Sequence, residues 1–451
     1  MSNHLSIFEM SQKTGSIPSL KMLEKDCSTV NIDSSSQTLL VTSPYPEATL
    51  ASAILSRALL RSNRKFHVTF VQPVMTVESL IEIKTKFDSS TVIAIGIDVL
   101  GTKKIKKGKS YPILIGGTSE SEQLHTITIG TDFTITPAAY ALAKSQIDVS
   151  SYDLQLAATG VLIQDEMNGT KKGANKEITD LAEKEGLVEE RKGFRLFGVG
   201  MLPLDEALLH STHPYLPTIS GNQKACDELL IASEIPVQKL RSPLNNLNTS
   251  EAQRLTSNLI TRLDPGVIPY LLGKDYILKL ERESSPIRYV SGVEIVATTA
   301  WARHELGTIM SVWLGDRGRA LRVMIDSHMS HNKDVISSVQ RLDSGLVVES
   351  TSSATIVKLI GSKAEILPDA GRIALSNRLV DPDKPLVLDN EESSTIIWPY
   401  SRFNTKQVLR SLLKKGILPL TSSSQSVTII NSPEVTEMVL QLILNIDKAG
   451  S

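Results

Sequence analysis

At 451 residues the chain is too long for one core, so two domains and a connecting region are expected. A composition of 41% hydrophobic and 22% charged residues fits neither a disordered nor a fibrous class. A net charge of −1 leaves no global attraction to nucleic acid, so any such contact must come from a local patch.

Cys27 and Cys226 lie far apart and show no metal spacing, which fits a reduced compartment without a disulfide framework. No apolar run approaches the roughly 18 to 20 residues that span a bilayer. The opening MSNHLSIFEMSQKTG lacks the basic-then-apolar layout of a signal peptide. A soluble, cytoplasmic protein is the expectation.

Residues 1–35 read as a peripheral lead-in. From Thr38, TLLVT reads as a buried strand, Ser43-Pro44-Tyr45-Pro46 breaks it, and a helical pattern starts at Glu47. A strand, a tight loop and a helix place that loop at the carboxyl edge of an α/β sheet, where such folds put ligands. Strands are predicted at His67–Val71, Val92–Ile97, Tyr111–Ile115 and Thr126–Ile129, and helices at Val77–Phe87, Thr136–Lys144 and Ser151–Ile163. Continuous apolar strands of this kind predict a mostly parallel sheet with helices on both faces. A polar helix follows at Lys176–Glu185, then the turn-rich LHSTHPYLPTISGN over Leu209–Asn222. Residues 223–285 read as a helical middle region, with Ala225–Ile231 and Glu251–Arg262 clearest. A second, smaller α/β unit is expected over 286–451. It opens with a helix at Arg288–Arg303, a strand at Thr308–Leu314 and a helix from Arg317 capped by Asp316. Further strands are predicted at Leu346–Glu349, Thr355–Leu359, Pro385–Leu388, Ser394–Trp398 and Val427–Ile430. Helices are predicted near Asp369–Asn377, Asn404–Lys414 and Pro433–Ile443.

Several stretches resemble archaeal members of the RecJ-like DHH phosphoesterase family. They are Ala157–Asp165 (AATGVLIQD), Phe194–Gly198 with Leu202-Pro203-Leu204, Ser211–Pro217 (STHPYLP) followed by Ser220–Cys226, and His304–Leu321 with its WLGDRGRAL core. The resemblance implies a DHH domain over 36–222 and a DHH-associated domain over 286–451. Family enzymes hold two manganese or magnesium ions through several aspartates and histidines, and here the departures carry the information. Where an Asp-x-Asp pair is expected after the first strand, the chain has Pro44-Tyr45-Pro46-Glu47. Where Asp-His-His is expected after Tyr111–Ile115, it has Gly116-Gly117-Thr118. Where a glycine-rich, histidine-containing loop is expected before Val427, it has Leu418–Ser424.

Glu47, Asp98 and Asp165 remain as relic ligand positions, three acids with no histidine, too few for a two-metal phosphoryl site. No catalytic residue, metal or cofactor is therefore expected. Within the family, the group that keeps the two-domain frame and loses the ligands is the RecJ-derived subunit of the replicative helicase. The resemblance thus implies a non-catalytic scaffold that binds the GINS complex, helps assemble or activate the MCM helicase, and contacts single-stranded DNA. The alternative is a manganese- or magnesium-dependent single-strand exonuclease with a rebuilt site. Candidate nucleic-acid or partner contacts are the basic run Lys103, Lys104, Lys106 and Lys107, otherwise a solvated turn, and Arg317 and Arg319, otherwise surface arginines at a helix start. The histidine pairs His210/His213 and His328/His331 read as structural or solvated residues rather than ligands.

Overall fold

The computed structural model describes residues 18–30, 32, 37–89, 91–101, 112–121, 124–127, 135–168, 172–263, 265–343, 348–351, 353–399 and 405–450. Helix α1 (Leu20–Cys27) leads into strand β1 (Thr38–Thr42), whose five residues are all buried. Pro46 then starts helix α2 (Pro46–Arg61), where its missing N–H costs nothing. Strands β2 (Phe66–Phe70), β3 (Val74–Thr76), β4 (Thr91–Ile95), β5 (Asp98–Leu100), β6 (Ile113–Ile115) and β7 (His125–Ile127) follow, with helix α3 (Val77–Lys86) between β3 and β4. The main sheet has the order β2-β1-β4-β6-β7 and is parallel throughout, with Leu39 opposite both His67 and Val92. β3 and β5 form a separate parallel pair that sets Val74 beside Asp98. Helices α4 (Ile135–Gln146), α5 (Ser151–Asn168) and α6 (Gly173–Lys184) complete this layer.

The middle of the chain departs from expectation. Helices α7 (Leu204–Leu209), α8 (Gln223–Ala232), α9 (Val237–Leu240), α10 (Thr249–Ile260) and α11 (Ile268–Leu271) are present, but β8 (Val188–Phe194) pairs antiparallel with β9 (Leu272–Leu278). In β8 only Val188 and Phe194 are buried, and Lys274 pairs with Glu190 and Lys279 with Glu189 across the ribbon. β8, charged and mostly exposed, lacks the apolar alternation that marks a strand, while β9 supplies the buried side of the ribbon.

Helices α12 (Val290–Ala302), α13 (Leu306–Leu314) and α14 (Arg319–Asp343) come next. The strand expected at Thr308–Leu314 is helix α13. Ile309, Met310, Val312 and Trp313 are buried as two pairs three residues apart, a helical stripe, and Gly315 ends the helix at φ 117°. Tertiary packing has overridden the β-propensity of the run. The expected boundary at 286 does not coincide with a break between cores. Val290 to Met324 belong to the core of the first sheet, while Val335, Val339 and Leu342 belong to the core of the second. The 25-residue helix α14 therefore runs through both, a span of about 37 Å.

The second sheet contains β10 (Val348–Ser350), β11 (Thr355–Lys358), β12 (Leu386–Asp389), β13 (Ser393–Ile397), β14 (Thr421–Ser422) and β15 (Ser426–Ile430), in the order β10-β11-β12-β13-β15-β14. Only the β11–β12 pair is parallel. Helices α15 (Leu367–Ser376), α16 (Thr405–Lys414) and α17 (Pro433–Gly450) pack with it. Val74 and Leu100 of the first domain join Val408, Leu409 and Leu412 of α16 in one apolar cluster, so the two domains share a core at that point. Among the described residues no helix is long and apolar enough to cross a membrane.

Trp313 lies 1% exposed, and its indole N–H donates to Thr49 Oγ1 at 3.1 Å, joining α13 to α2. Trp313→Ala removes that packing and leaves a cavity, with an expected loss of about 3–5 kcal/mol. The urea midpoint of unfolding, compared with wild type, reads this directly.

Candidate functional site

The carboxyl ends of β1, β4 and β6 meet at one edge of the parallel sheet, the edge where α/β proteins place ligands. Three short connections line it: Ser43 to Tyr45 after β1, Gly96 and Ile97 after β4, and Gly116 to Thr118 after β6. These turns are tight because the backbones approach closely. A Cβ on Gly96 (φ 69°) would stand 2.5 Å from Ser43 Oγ, and one on Gly117 would stand 1.8 Å from the Ile97 carbonyl oxygen. Where the resemblance expects imidazoles, the chain has packed its own backbone.

Asp98 opens β5 at this edge and is 4% exposed. Its Oδ1 accepts the Thr118 backbone N–H at 2.9 Å. The remaining partners arrive from the second domain. Lys406 Nζ lies 3.5 Å from Oδ1, and Arg410 Nη2 lies 2.7 Å from Oδ2. Arg410 also donates to Thr118 Oγ1. Lys406 and Arg410 stand one turn apart on α16, whose apolar side, Val408, Leu409 and Leu412, is buried against both domains.

Lys406 reaches the floor of the crevice. Burial lowers its pKa, and the charges of Asp98 and Glu47 oppose that shift. Its Nζ lies 5.8 Å from the centroid of the Tyr45 ring, a cation–π approach, and Tyr45 is set edge-on against Trp301 at 5.1 Å. Burial pushes the Glu47 carboxyl up, partly offset by its own backbone amide, by a Gln164 side-chain hydrogen bond and by Lys406. Burial, with Glu47 and Asp98 nearby, likewise raises the Tyr45 hydroxyl.

The sequence-derived candidates thus separate. Glu47 and Asp98 both face Lys406. Asp165 lies in the last turns of α5, and its side chain falls outside the described residues, as do Lys103, Lys104, Lys106 and Lys107. Arg317 is taken up internally: Nε donates to Glu281 Oε2 at 2.8 Å, Nη2 lies 2.5 Å from Oε1 of the same carboxylate, and Nη2 also reaches Tyr152 OH. Arg319 is exposed at the start of α14. Lys406 and Arg410 were not anticipated. The only signal for them was the spacing Lys406, Arg410, Lys414 beside an apolar helical stripe.

The two divalent ions of the DHH phosphoesterases do not fit the described residues. Asp98, the most buried carboxylate of the crevice, has both oxygens engaged by an amide, an ammonium and a guanidinium. Among the described residues no group of three or more His, Cys, Asp or Glu side chains could hold a metal ion.

A second polar cluster lies at the junction of the turn-rich stretch, α14 and α15. His331 Nε2 meets Asp369 Oδ2 at 2.8 Å, and Arg372 Nη2 lies 3.3 Å from Asp369 Oδ1 and 2.8 Å from His213 Nε2. Burial pushes Asp369 up, but the His331 hydrogen bond and the Arg372 charge outweigh it and hold the carboxyl well below its usual range. His328, 1% exposed, has Nδ1 2.8 Å from Thr299 Oγ1 and Nε2 3.0 Å from Asn332 Nδ2. The Asn332 oxygen accepts from Thr212 and its nitrogen also donates to the His210 carbonyl, so His328 Nε2 is an acceptor and the ring is neutral. These rings are held by hydrogen bonds within the chain.

No family model matches the sequence, and no curated protein matches it. Solved structures do. CDC45 from Entamoeba histolytica aligns over 94% of this chain and 97% of its own, at 11% identity and a TM-score of 0.58. The chain shares the fold of CDC45. RecJ from Thermus thermophilus in complex with Mn2+ aligns over 95% of this chain and 54% of its own, at 11% identity and a TM-score of 0.45. A manganese-bound exonuclease RecJ aligns over 95% and 94%, at 10% identity and 0.44. The CDC45 alignment covers nearly the whole length of both chains and so takes in both sheets.

Burial, and then the neighbouring histidines, push His328 down to about 3, against about 6.5 when unfolded. A depressed folded-state pKa means that the unfolded chain binds the extra proton first. The stability from neutral His328 is complete above pH 6.5 and drains away as pH falls toward 3. Melting temperature is expected to drop steadily over that interval, and His328→Gln is expected to flatten the slope.

Proposed function

We propose that the chain is a non-catalytic DNA-replication scaffold, a RecJ-like subunit that binds the GINS complex and helps assemble or activate the MCM helicase. Single-stranded DNA is its expected nucleic-acid contact. One observation carries the reading: the crevice carboxylate Asp98 is satisfied by Lys406 and Arg410 of the chain's own second domain. A hydrolase of this type needs its carboxylates free to hold divalent cations beside the scissile phosphate. Here protein cations meet the carboxylate, and Gly117 packs against the Ile97 carbonyl where the resemblance expects imidazoles.

The architecture common to this chain and CDC45 supports the scaffold side of the reading, because nearly the whole length of both chains aligns. A frame kept whole around a carboxylate already paired within the chain is what a protein selected for its surfaces would retain. Replication partners come from the family resemblance, which supplies GINS and MCM as the complexes to test.

Two measurements separate the readings. Incubated with labelled single strands and manganese or magnesium, the purified chain is expected to leave the strands intact. Metal-dependent digestion abolished by Asp165→Ala would establish the exonuclease instead. In a tagged co-purification from the native host, GINS and MCM subunits are expected with the chain, and recovery of neither overturns the scaffold.

A further inference from the structure

β2 is the outermost strand of the first sheet, and β1 is its ladder partner. The Thr38 N–H donates to the Lys65 carbonyl and the Val71 N–H to the Thr42 carbonyl, so alternate residues from Lys65 to Val71 bond inward. The N–H and C=O groups of Phe66, Val68 and Phe70 therefore point away from β1, and among the described residues nothing bonds to them. Native proteins guard such an edge with charge, proline, a bulge or brevity. The other edge strands are brief, with three residues in β7 and β10 and two in β14. β2 has five, FHVTF, in unbroken register with β1, without lysine, arginine, acid or proline, and all five are half-buried.

The strand is complementary to itself. Paired antiparallel with a second copy about Val68, it sets Phe66 against the second copy's Phe70, and each free N–H meets a free C=O. Phe66, Val68 and Phe70 share one face, where Val68 and Phe70 pack against the core under α2, so the aromatic pairs would continue that apolar face. On the opposite face α3 runs back along the strand, and Phe87 at its end stacks on His67 with ring centroids 4.1 Å apart. Exposed Glu78 and Glu82 occupy the first half of α3, and Lys84 and Lys86 its last turn. A two-fold axis at Val68 sets the α3 helices of the two copies antiparallel, with the acidic half of each toward the basic end of the other.

We propose that β2 is a self-association edge: two copies of this chain pair their β2 strands antiparallel about a two-fold axis at Val68, and their first sheets become one. The inference is independent of the proposed function, and the core shared by the two domains stays intact. One strand pair with ion pairs at its flank is a small contact, since partly exposed pairs contribute little each. Association is therefore reversible, with a dissociation constant on the order of 10 µM.

The test is sedimentation velocity of the full chain from about 1 to 100 µM, where a monomer–dimer equilibrium is expected. A single monomeric species throughout overturns the proposal. Val68→Pro deletes the central N–H on an edge, where proline is tolerated, and is expected to weaken the dimer at least about tenfold. A dimer that this substitution leaves unchanged overturns the proposal as well. Should Val68→Pro fail to fold, cysteine variants read the register instead, since Cys27 and Cys226 are buried. Residues paired at Val68 stand about 5.5 Å apart at Cα, within reach of a disulfide, whereas Thr69 faces the second copy's His67 and not its own counterpart. Mild oxidation is expected to give a covalent dimer with Val68→Cys and none with Thr69→Cys. Cross-linking of both to the same extent, or of neither, overturns the pairing. Capture of GINS and MCM is read separately, so failure of the dimer and failure of the scaffold are distinguishable.

Discussion

The ion pairs from Asp98 to Lys406 and Arg410 join the two ends of the chain's logic. They tie the carboxyl edge of a parallel sheet to a helix of the other domain, and they satisfy a carboxylate that is almost wholly buried. A buried carboxylate without a partner is strongly unfavourable. In a two-metal enzyme divalent cations would meet that need. Here α16 meets it, and the same helix adds Val408, Leu409 and Leu412 to a core that also contains Val74 and Leu100. Charge compensation and domain closure are therefore one event.

Other features of the crevice follow from that substitution. The connection after β6 has closed down on the backbone, and Gly117 rests against the Ile97 carbonyl where a side chain would collide. Tyr45 in the first loop offers Lys406 a ring face. The second polar cluster, around Asp369, works by the same rule: Arg372 and the histidines answer a buried carboxylate from within the chain. α16 thus holds the second sheet to the edge of the first, and the Asp369 cluster ties α15 to α14 and to the turn-rich stretch.

How much of this was legible in the sequence depends on range. The first sheet could be read from runs such as TLLVT and TVIAI, whose continuous burial matches strands covered on both faces. The helix α13 misread as a strand shows the limit, since TIMSVWL is rich in β-formers and only packing against α2 decides its conformation. The β8–β9 ribbon was missed because β8 is charged and largely exposed, and the apolar residues of β9 show no clean alternation. At the crevice, the departures from the family pattern that the resemblance implies could be noticed position by position. The ion pairing there could not, because Asp98 and Lys406 are 308 residues apart and no local pattern links them.

The central claim is that Asp98 is neutralised across the domain boundary by the protein itself. A double-mutant cycle of Asp98→Asn and Arg410→Met, read by chemical unfolding at low salt, tests it most directly. The expected coupling is about 1–3 kcal/mol for a pair in contact, falling as salt is raised. A coupling indistinguishable from zero, with the two substitutions simply additive, would contradict it.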